Sequence, residues 1–336
     1  MATSADVAAL AGVSQSTVSY VMSGTRAIST DTKSRVLAAM EQLDYHPNAG
    51  ARALASRRTS VIGLVVPFDQ TTQMAGLLPF IETVTQSARA RDYDVVLITG
   101  DEGPAGLQRL AGRSIVDAIV LMDIRREDDR LPVARQLSMP VVLIGVPQDP
   151  DGLDCVDFDT DLAGRLAVRE LAETGHRTVV LVAEDPAVRE RDYGFIATFE
   201  SAVISEALKV GLEIVEYVPA DVGWAGLTEL GPTVSRQLPS RTGVIGRTPQ
   251  AIERILQMLT IEGLQPGRDV SVIGLCTDAT ANDFRVPVTN VSPEPWEVSR
   301  LAMNTVFSKL EDGRQPTQVQ LVRPRLTRRG TTITAQ

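Results

Sequence analysis

Gln15, Ser16 and Tyr20 sit on one short stretch, GVSQSTVSYVM (residues 12–22), that contains no Lys, Arg, Asp or Glu. A Gln amide offers a donor and an acceptor side by side, the pattern that matches the edge of adenine, and Ser and Tyr hydroxyls can donate or accept at a base edge. Ser14, Thr17 and Ser19 interleave with them and suit phosphate oxygens. This chemistry is recognition by hydrogen bonds, not bond making. The rest of the chain points away from catalysis. His46 and His176 are its only histidines, and Cys155 and Cys276 its only cysteines. They show no metal or redox spacing, which fits a reducing cytosol. No Gly-rich phosphate loop follows an apolar run. No catalytic residue, metal site or cofactor is expected, and the chain does not read as an enzyme.

The elements that must hold these side chains are short helices. Val7, Leu10 and Ala11 fall on one face of a first helix, with Ser4 as a possible N-cap. Gly12 ends it as a residue able to turn left-handed. Ser14 suits the N-cap of a second helix, whose inner side is Val18, Val21 and Met22, and Ala8 opposite Val18 lets the two helices approach closely. Ser29 or Thr30 starts a third, with Val36, Leu37, Met40 and Leu43 inward. Helix, Gly-containing turn, helix is the unit whose second helix enters a DNA major groove. On these residues alone, a small amphipathic helix with a solvated polar face is an equally good reading.

Charge is distributed to match. Residues 1–60 hold six basic and four acidic residues, a net of +2, so with −9 overall the remaining residues carry −11. Such a body repels nucleic acid everywhere except at its mildly basic head. At 336 residues the chain is long enough for two or three domains, and 43 % hydrophobic residues suffice for packed cores. Aromatics are only 4 %, so any aromatic in a pocket is informative. No apolar run reaches about 18 residues and no signal-peptide pattern opens the chain, so a cytoplasmic protein without a membrane span is expected.

From Asp6 to Ser56 the chain reads DVAALAGVSQSTVSYVMSGTRAISTDTKSRVLAAMEQLDYHPNAGARALAS. This run resembles the DNA-binding head of the lactose-repressor (LacI/GalR) family, through "DVA…AGVS..TVS", the capped third helix and "L.Y.PN…A..L". The resemblance implies a homodimer on a near-palindromic double-stranded DNA operator, with Gln15, Ser16 and Tyr20 on bases. It also implies a hinge helix carrying Asn48, Ala51 and Leu54 into the minor groove, both copies of Leu54 wedging into a central step that unstacks easily. Two departures matter. Many members have Arg where Tyr20 stands, so different outer operator bases are expected. Gly50 weakens the hinge helix by roughly 1 kcal/mol relative to Ala, so that helix is expected to fold only on DNA.

Past Ser60, apolar runs at 61–67, 94–100, 117–122 and 140–146, then 178–184, 213–219, 242–246 and 270–275, alternate with helical stretches. They read as buried parallel strands. The expected fold is a small all-α helix-turn-helix head plus an α/β body of two doubly wound parallel-sheet subdomains. Its divisions are 1–46 for the head, 47–59 for hinge and linker, and 60–336 for an effector-binding and dimerisation domain. Ligands in such sheets bind at the carboxyl ends of the strands. DTDLAGRLAVRELAETGHRTVVLV (159–182), RDYGF (191–195), DVSVIGL (269–275) and LTRRGTT (326–332) resemble the family's effector domain, which is similar to periplasmic sugar-binding proteins. No leucine-heptad tail follows, which implies a dimer over a tetramer.

The pocket is where the sequence departs from that family. Gly246–Arg247–Thr248 stands where Ala-Asn-Asp is usual, and Leu275–Cys276–Thr277 where Tyr/Phe-Asp-Asp is usual. The effector-binding candidates are Arg191, Trp224, Arg247 and Cys276. With two acidic anchors missing and two guanidiniums present, an anionic small molecule is the expected effector. The bland alternatives stay open: a surface ion pair for Arg191, a core indole for Trp224, an outward Arg247, a small buried hydrophobe in Cys276. A body that senses a protein partner, or nothing, remains the alternative to a small-molecule effector.

Overall fold

The computed structural model describes residues 2–23, 26–45, 58–66, 74–220, 225–237, 241–312 and 316–333. The hinge candidates Asn48, Ala51 and Leu54, and Trp224, lie outside these described residues.

Three helices form the head: α1 (Ser4–Ala11), α2 (Gln15–Ser23) and α3 (Thr30–Gln42). The N-cap of α1 is Thr3, not Ser4: the Asp6 amide donates to the Thr3 hydroxyl, and the Asp6 carboxylate accepts from the Thr3 amide in return. Gly12 closes α1 at φ 64°, ψ 40°, a left-handed turn that costs a Cβ-free residue little. Ser29 caps α3. Val7, Ala8, Ala11, Val18, Val36 and Ala39 form the core. Leu10 and Leu37, placed inward by periodicity, are 46 % and 49 % exposed. Each helix turns only a narrow stripe inward, and Val7, Ala8 and Ala11 on α1 and Val36 and Ala39 on α3 occupy it.

The body holds two six-stranded sheets. In the first, the order is β11 (Val319–Val322), β5 (Asp154–Phe158), β4 (Val141–Ile144), β3 (Ala118–Leu121), β1 (Val61–Val66), β2 (Asp94–Thr99), every pair parallel. In the second it is β12 (Arg325–Thr327), β10 (Thr289–Ser292), β9 (Ser271–Leu275), β8 (Thr242–Gly246), β6 (Thr178–Val182), β7 (Glu213–Tyr217). Here β12 runs antiparallel to β10, so this sheet is mixed rather than wholly parallel. Each apolar run singled out in the sequence is a strand; β5, β10, β11 and β12 were not among them, although β12 overlaps the LTRRGTT block. DCVDF and TNVS carry too much polarity to stand out, yet they are buried because their polar atoms find partners, as where the Asn290 amide donates to the Cys276 carbonyl at 2.7 Å.

The remaining helices are α4 (Met74–Arg89), α5 (Gly103–Arg113), α6 (Leu131–Ala134), α7 (Thr160–Glu173), α8 (Pro186–Arg189), α9 (Gly194–Lys209), α10 (Leu230–Gln237), α11 (Pro249–Ile261), α12 (Asp278–Asp283) and α13 (Pro295–Asp312). The chain passes between sheets three times: from β5 to α7, from β10 to α13, which packs on α4 and β5, and from β11 to β12. One apolar cluster runs through both subdomains, from Ile62 and Leu64 past Phe158 to Leu181 and Ile273. At a crossover, Arg325 pairs with Asp278 at 2.7 Å and with Glu294, itself at φ 49°.

Candidate DNA-binding head and ligand cavity

On α2 the polar face is ordered by its own hydroxyls. The Thr17 amide donates to Ser14 Oγ at 3.2 Å, and Ser14 Oγ also meets Ser16 Oγ and Thr17 Oγ1, each at 2.8 Å. Ser14 thus caps the helix while remaining exposed. Gln15 Nε2 donates one hydrogen to Ser4 Oγ at 2.7 Å, holding the amide at the junction of α1 and α2. Ser16, Ser19 and Tyr20 are exposed on the same helix, and Thr17 is half-buried. The Arg26 guanidinium lies 5.7 Å from the centre of the Tyr20 ring. Arg35 donates to the Ala11 carbonyl at 3.2 Å, fastening α3 to the end of α1. The uncharged face is therefore stiff, built on a core of Val18 and Val36, and edged by cations.

The second site is a cavity of about 200 Å³ between the two subdomains, at the carboxyl ends of the strands. The first subdomain contributes Phe80, Asp123, Asp157 and Phe158, and the second Glu184, Tyr193, Phe195, Arg247, Thr248 and Cys276. The Tyr193 and Phe195 rings stack at 5.8 Å. Arg247 reaches over Phe195 at 5.3 Å and pairs with Glu184 at 2.6 Å, both side chains largely buried. Thr248 caps α11 through the Ala251 amide, and Thr277 caps α12 through the Thr280 amide, so two helix starts meet the cavity wall.

Asp157 is buried in the wall, its Oδ1 accepting the Phe158 amide at 2.8 Å. Burial pushes its carboxyl up to about 7; the Phe158 amide works against this and nearby Asp123 adds to the rise. Cys276 is 4 % exposed, and burial pushes its thiol up to about 12, the behaviour of a small buried hydrophobe.

The subdomains are also latched by backbone at this cavity. The Gly194 amide donates to the Ile124 carbonyl at 3.2 Å, and the Arg126 amide to the Asp192 carbonyl at 2.9 Å. A Cβ on Gly194 would sit 2.8 Å from the Val146 carbonyl oxygen, so only glycine fits.

Residues 3–48 match the model of bacterial regulatory proteins of the lacI family. Residues 59–210 match that of periplasmic binding proteins and the sugar binding domain of the LacI family, and 168–332 that of a periplasmic binding protein-like domain. The chain belongs to the LacI family. Among LacI-family relatives, the HTH-type transcriptional regulator CelR of Thermobifida fusca is 29 % identical over 329 residues, 94 % of each chain. The HTH-type transcriptional repressor PurR of Haemophilus influenzae (strain PittEE) is 27 % identical over 319 residues, 92 % of this chain and 91 % of the relative. The lac repressor dimer bound to operator and the anti-inducer ONPF superposes with a TM-score of 0.82 at 20 % identity, over 99 % of each chain. The CelR–cellobiose complex does so at 0.66 and 24 %, over 98 % of this chain and all of that one. These likenesses carry the LacI-family fold.

Of the effector-binding candidates, the structure brings Arg247 and Cys276 to the cavity. Arg191 lies between α8 and α9 and is not among the residues lining it. The anionic effector does not fit these walls: among the described lining residues there are three carboxylates, Asp123, Asp157 and Glu184, against one guanidinium, which Glu184 already holds. Sequence reasoning missed these acids and the aromatic walls. The signal was available, since Asp157, Glu184 and Asp123 stand at the carboxyl ends of strands or just beyond them, where such folds bind ligands.

Proposed function

We propose that this protein is a sequence-specific DNA-binding transcription regulator, a repressor that binds a near-palindromic operator as a homodimer and is gated by a small molecule in the cavity. The single observation that carries the reading is a rigid, uncharged, hydroxyl-rich helix face in the same chain as a cavity between two subdomains. Residues 1–46 act as the head, 47–59 as hinge and linker, and 60–336 as the effector-binding and dimerisation domain. Gln15, Ser16 and Tyr20 contact bases; Ser14, Thr17 and Ser19 contact phosphates; Asn48, Ala51 and Leu54 lie in the minor groove.

Dimerisation is supported by a face of the first subdomain. Met74 and Leu78 on α4, and Val96 and Leu97 on the neighbouring edge strand β2, are all exposed. A row of unpaired strand atoms beside apolar side chains seeks a partner. A ligand that binds one arrangement of the two subdomains better than the other shifts their equilibrium, and with it the spacing of the two heads. The family consists of regulators rather than enzymes, and no helix among the described residues is long and apolar enough to cross a membrane. A regulator that acts on DNA works where the DNA is, and we infer a cytoplasmic location on that ground. Selection of random-sequence DNA by the full-length protein tests the reading. A two-fold symmetric site is the expected product; an asymmetric site, or no enrichment, overturns it.

A further inference from the structure

The effector reading leaves the ligand's chemistry open, and the walls narrow it. Arg247 and Glu184 neutralise one another on the second subdomain's side. On the opposite side Asp157 stands 8 % exposed, its carboxylate held by one backbone amide from Phe158 and facing a second carboxylate, Asp123. The other charged groups on the described walls are that Glu184–Arg247 pair, and Tyr193 is the remaining titratable neighbour besides Cys276. Phe80, Phe158, Tyr193 and Phe195 supply aromatic surface around them.

Resting on the reading of this cavity as the effector site, we propose that its ligand is an organic cation, a protonated amine on a ring-sized body, with Asp157 as the anchor of the ammonium group. An ammonium donates hydrogen bonds to a buried carboxylate that, among the described residues, is held by the Phe158 amide, and its positive charge offsets the nearby Asp123. The ring faces attract the same charge through their quadrupoles. A neutral ligand leaves the buried Asp157 carboxylate without a countercharge among the described wall residues, and an anion adds another charge of that sign. Without a ligand, proton uptake by Asp157 is the alternative relief, consistent with a carboxyl that burial raises to about 7. Cation binding therefore displaces a proton and weakens as pH falls below 7.

Calorimetry on the full-length protein with matched pairs that exchange an ammonium for a hydroxyl tests this: tyramine against tyrosol, and glucosamine against glucose. Cellobiose and glucose 6-phosphate serve as neutral and anionic controls. The expected result, in at least one pair, is an amine that binds tenfold or more tighter than its partner at pH 7.5. That preference shrinks at pH 5.5 and disappears in Asp157→Asn, with a cooperative thermal unfolding transition showing that the variant is folded. An amine preference that survives Asp157→Asn overturns the proposal. Binding of only the neutral or anionic probes overturns it while leaving the gated regulator standing. Silence from every probe counts against both.

Discussion

Arg247 and Glu184 form a buried ion pair at 2.6 Å on the cavity wall, with the guanidinium laid over Phe195. The pair converts what the sequence offers as an anion receptor into a neutral surface. Removing one partner leaves a buried charge uncompensated, whereas replacing both with apolar residues does not. Glu184→Ala should therefore destabilise the protein by about 3 kcal/mol, and Glu184→Leu combined with Arg247→Met should recover most of that loss. Urea unfolding of the single and double variants reads the difference. A double variant as unstable as Glu184→Ala would show that the site needs the pair for its shape.

Asp157 makes stability depend on pH. Its carboxyl is raised from an ordinary 3.8 to about 7 by burial, with Asp123 adding to it. Between those values the native state holds a proton that the unfolded chain has released, so stability falls as pH rises through the window and levels off above 7. The full effect is about 4 kcal/mol at most. Asp157→Asn keeps an acceptor for the Phe158 amide and removes the titration. In thermal unfolding without ligand, the variant should exceed the parent at pH 8 and approach it near pH 4. A constant gap across pH would assign the effect to packing.

The Gly194 latch should govern closure. Gly194→Ala places a methyl 2.8 Å from the Val146 carbonyl oxygen and pushes the turn away from Ile124. Overpacking of this kind typically costs 1–3 kcal/mol, about the loss expected here in global stability or in closure. We expect weaker ligand binding with operator affinity changed little in the absence of ligand. Small-angle scattering should show a more open body. Unaltered scattering and ligand affinity would mean that the turn absorbs the methyl.

Tyr20→Arg should change base preference. Arginine reads guanine through two hydrogen bonds, worth about 1–3 kcal/mol of discrimination. It also brings a second cation beside Arg26, which now stacks on Tyr20. Selection from randomised half-sites should show new guanine preference at one position. The same preferences with a steeper salt dependence would place residue 20 against phosphate.

The kind of fold was legible along the sequence because it depends on local rules. A Gly12 turn, hydroxyl caps at Ser14 and Ser29, and uninterrupted apolar runs such as VIGLVV are decided within a few residues of themselves. The polar strands β5 and β10 were not legible, since DCVDF and TNVS become strands only when neighbouring strands and helices satisfy their polar atoms. The inward faces of α1 and α3 were read one position astray at Leu10 and Leu37, because a helix's own period does not say which side its neighbour takes.

The cavity divides in the same way. Arg247 and Cys276 were visible by position, each at or just after a strand's carboxyl end. What they do there was decided by residues far away in the chain: Glu184, 63 positions earlier, neutralises Arg247, and Asp157 arrives from the other sheet. Charge in a low-dielectric space acts through distance in three dimensions, and a linear sequence carries no such distances. The sequence by itself determined that there is a recognition helix and a cleft. Only the tertiary structure decided that the cleft is acidic.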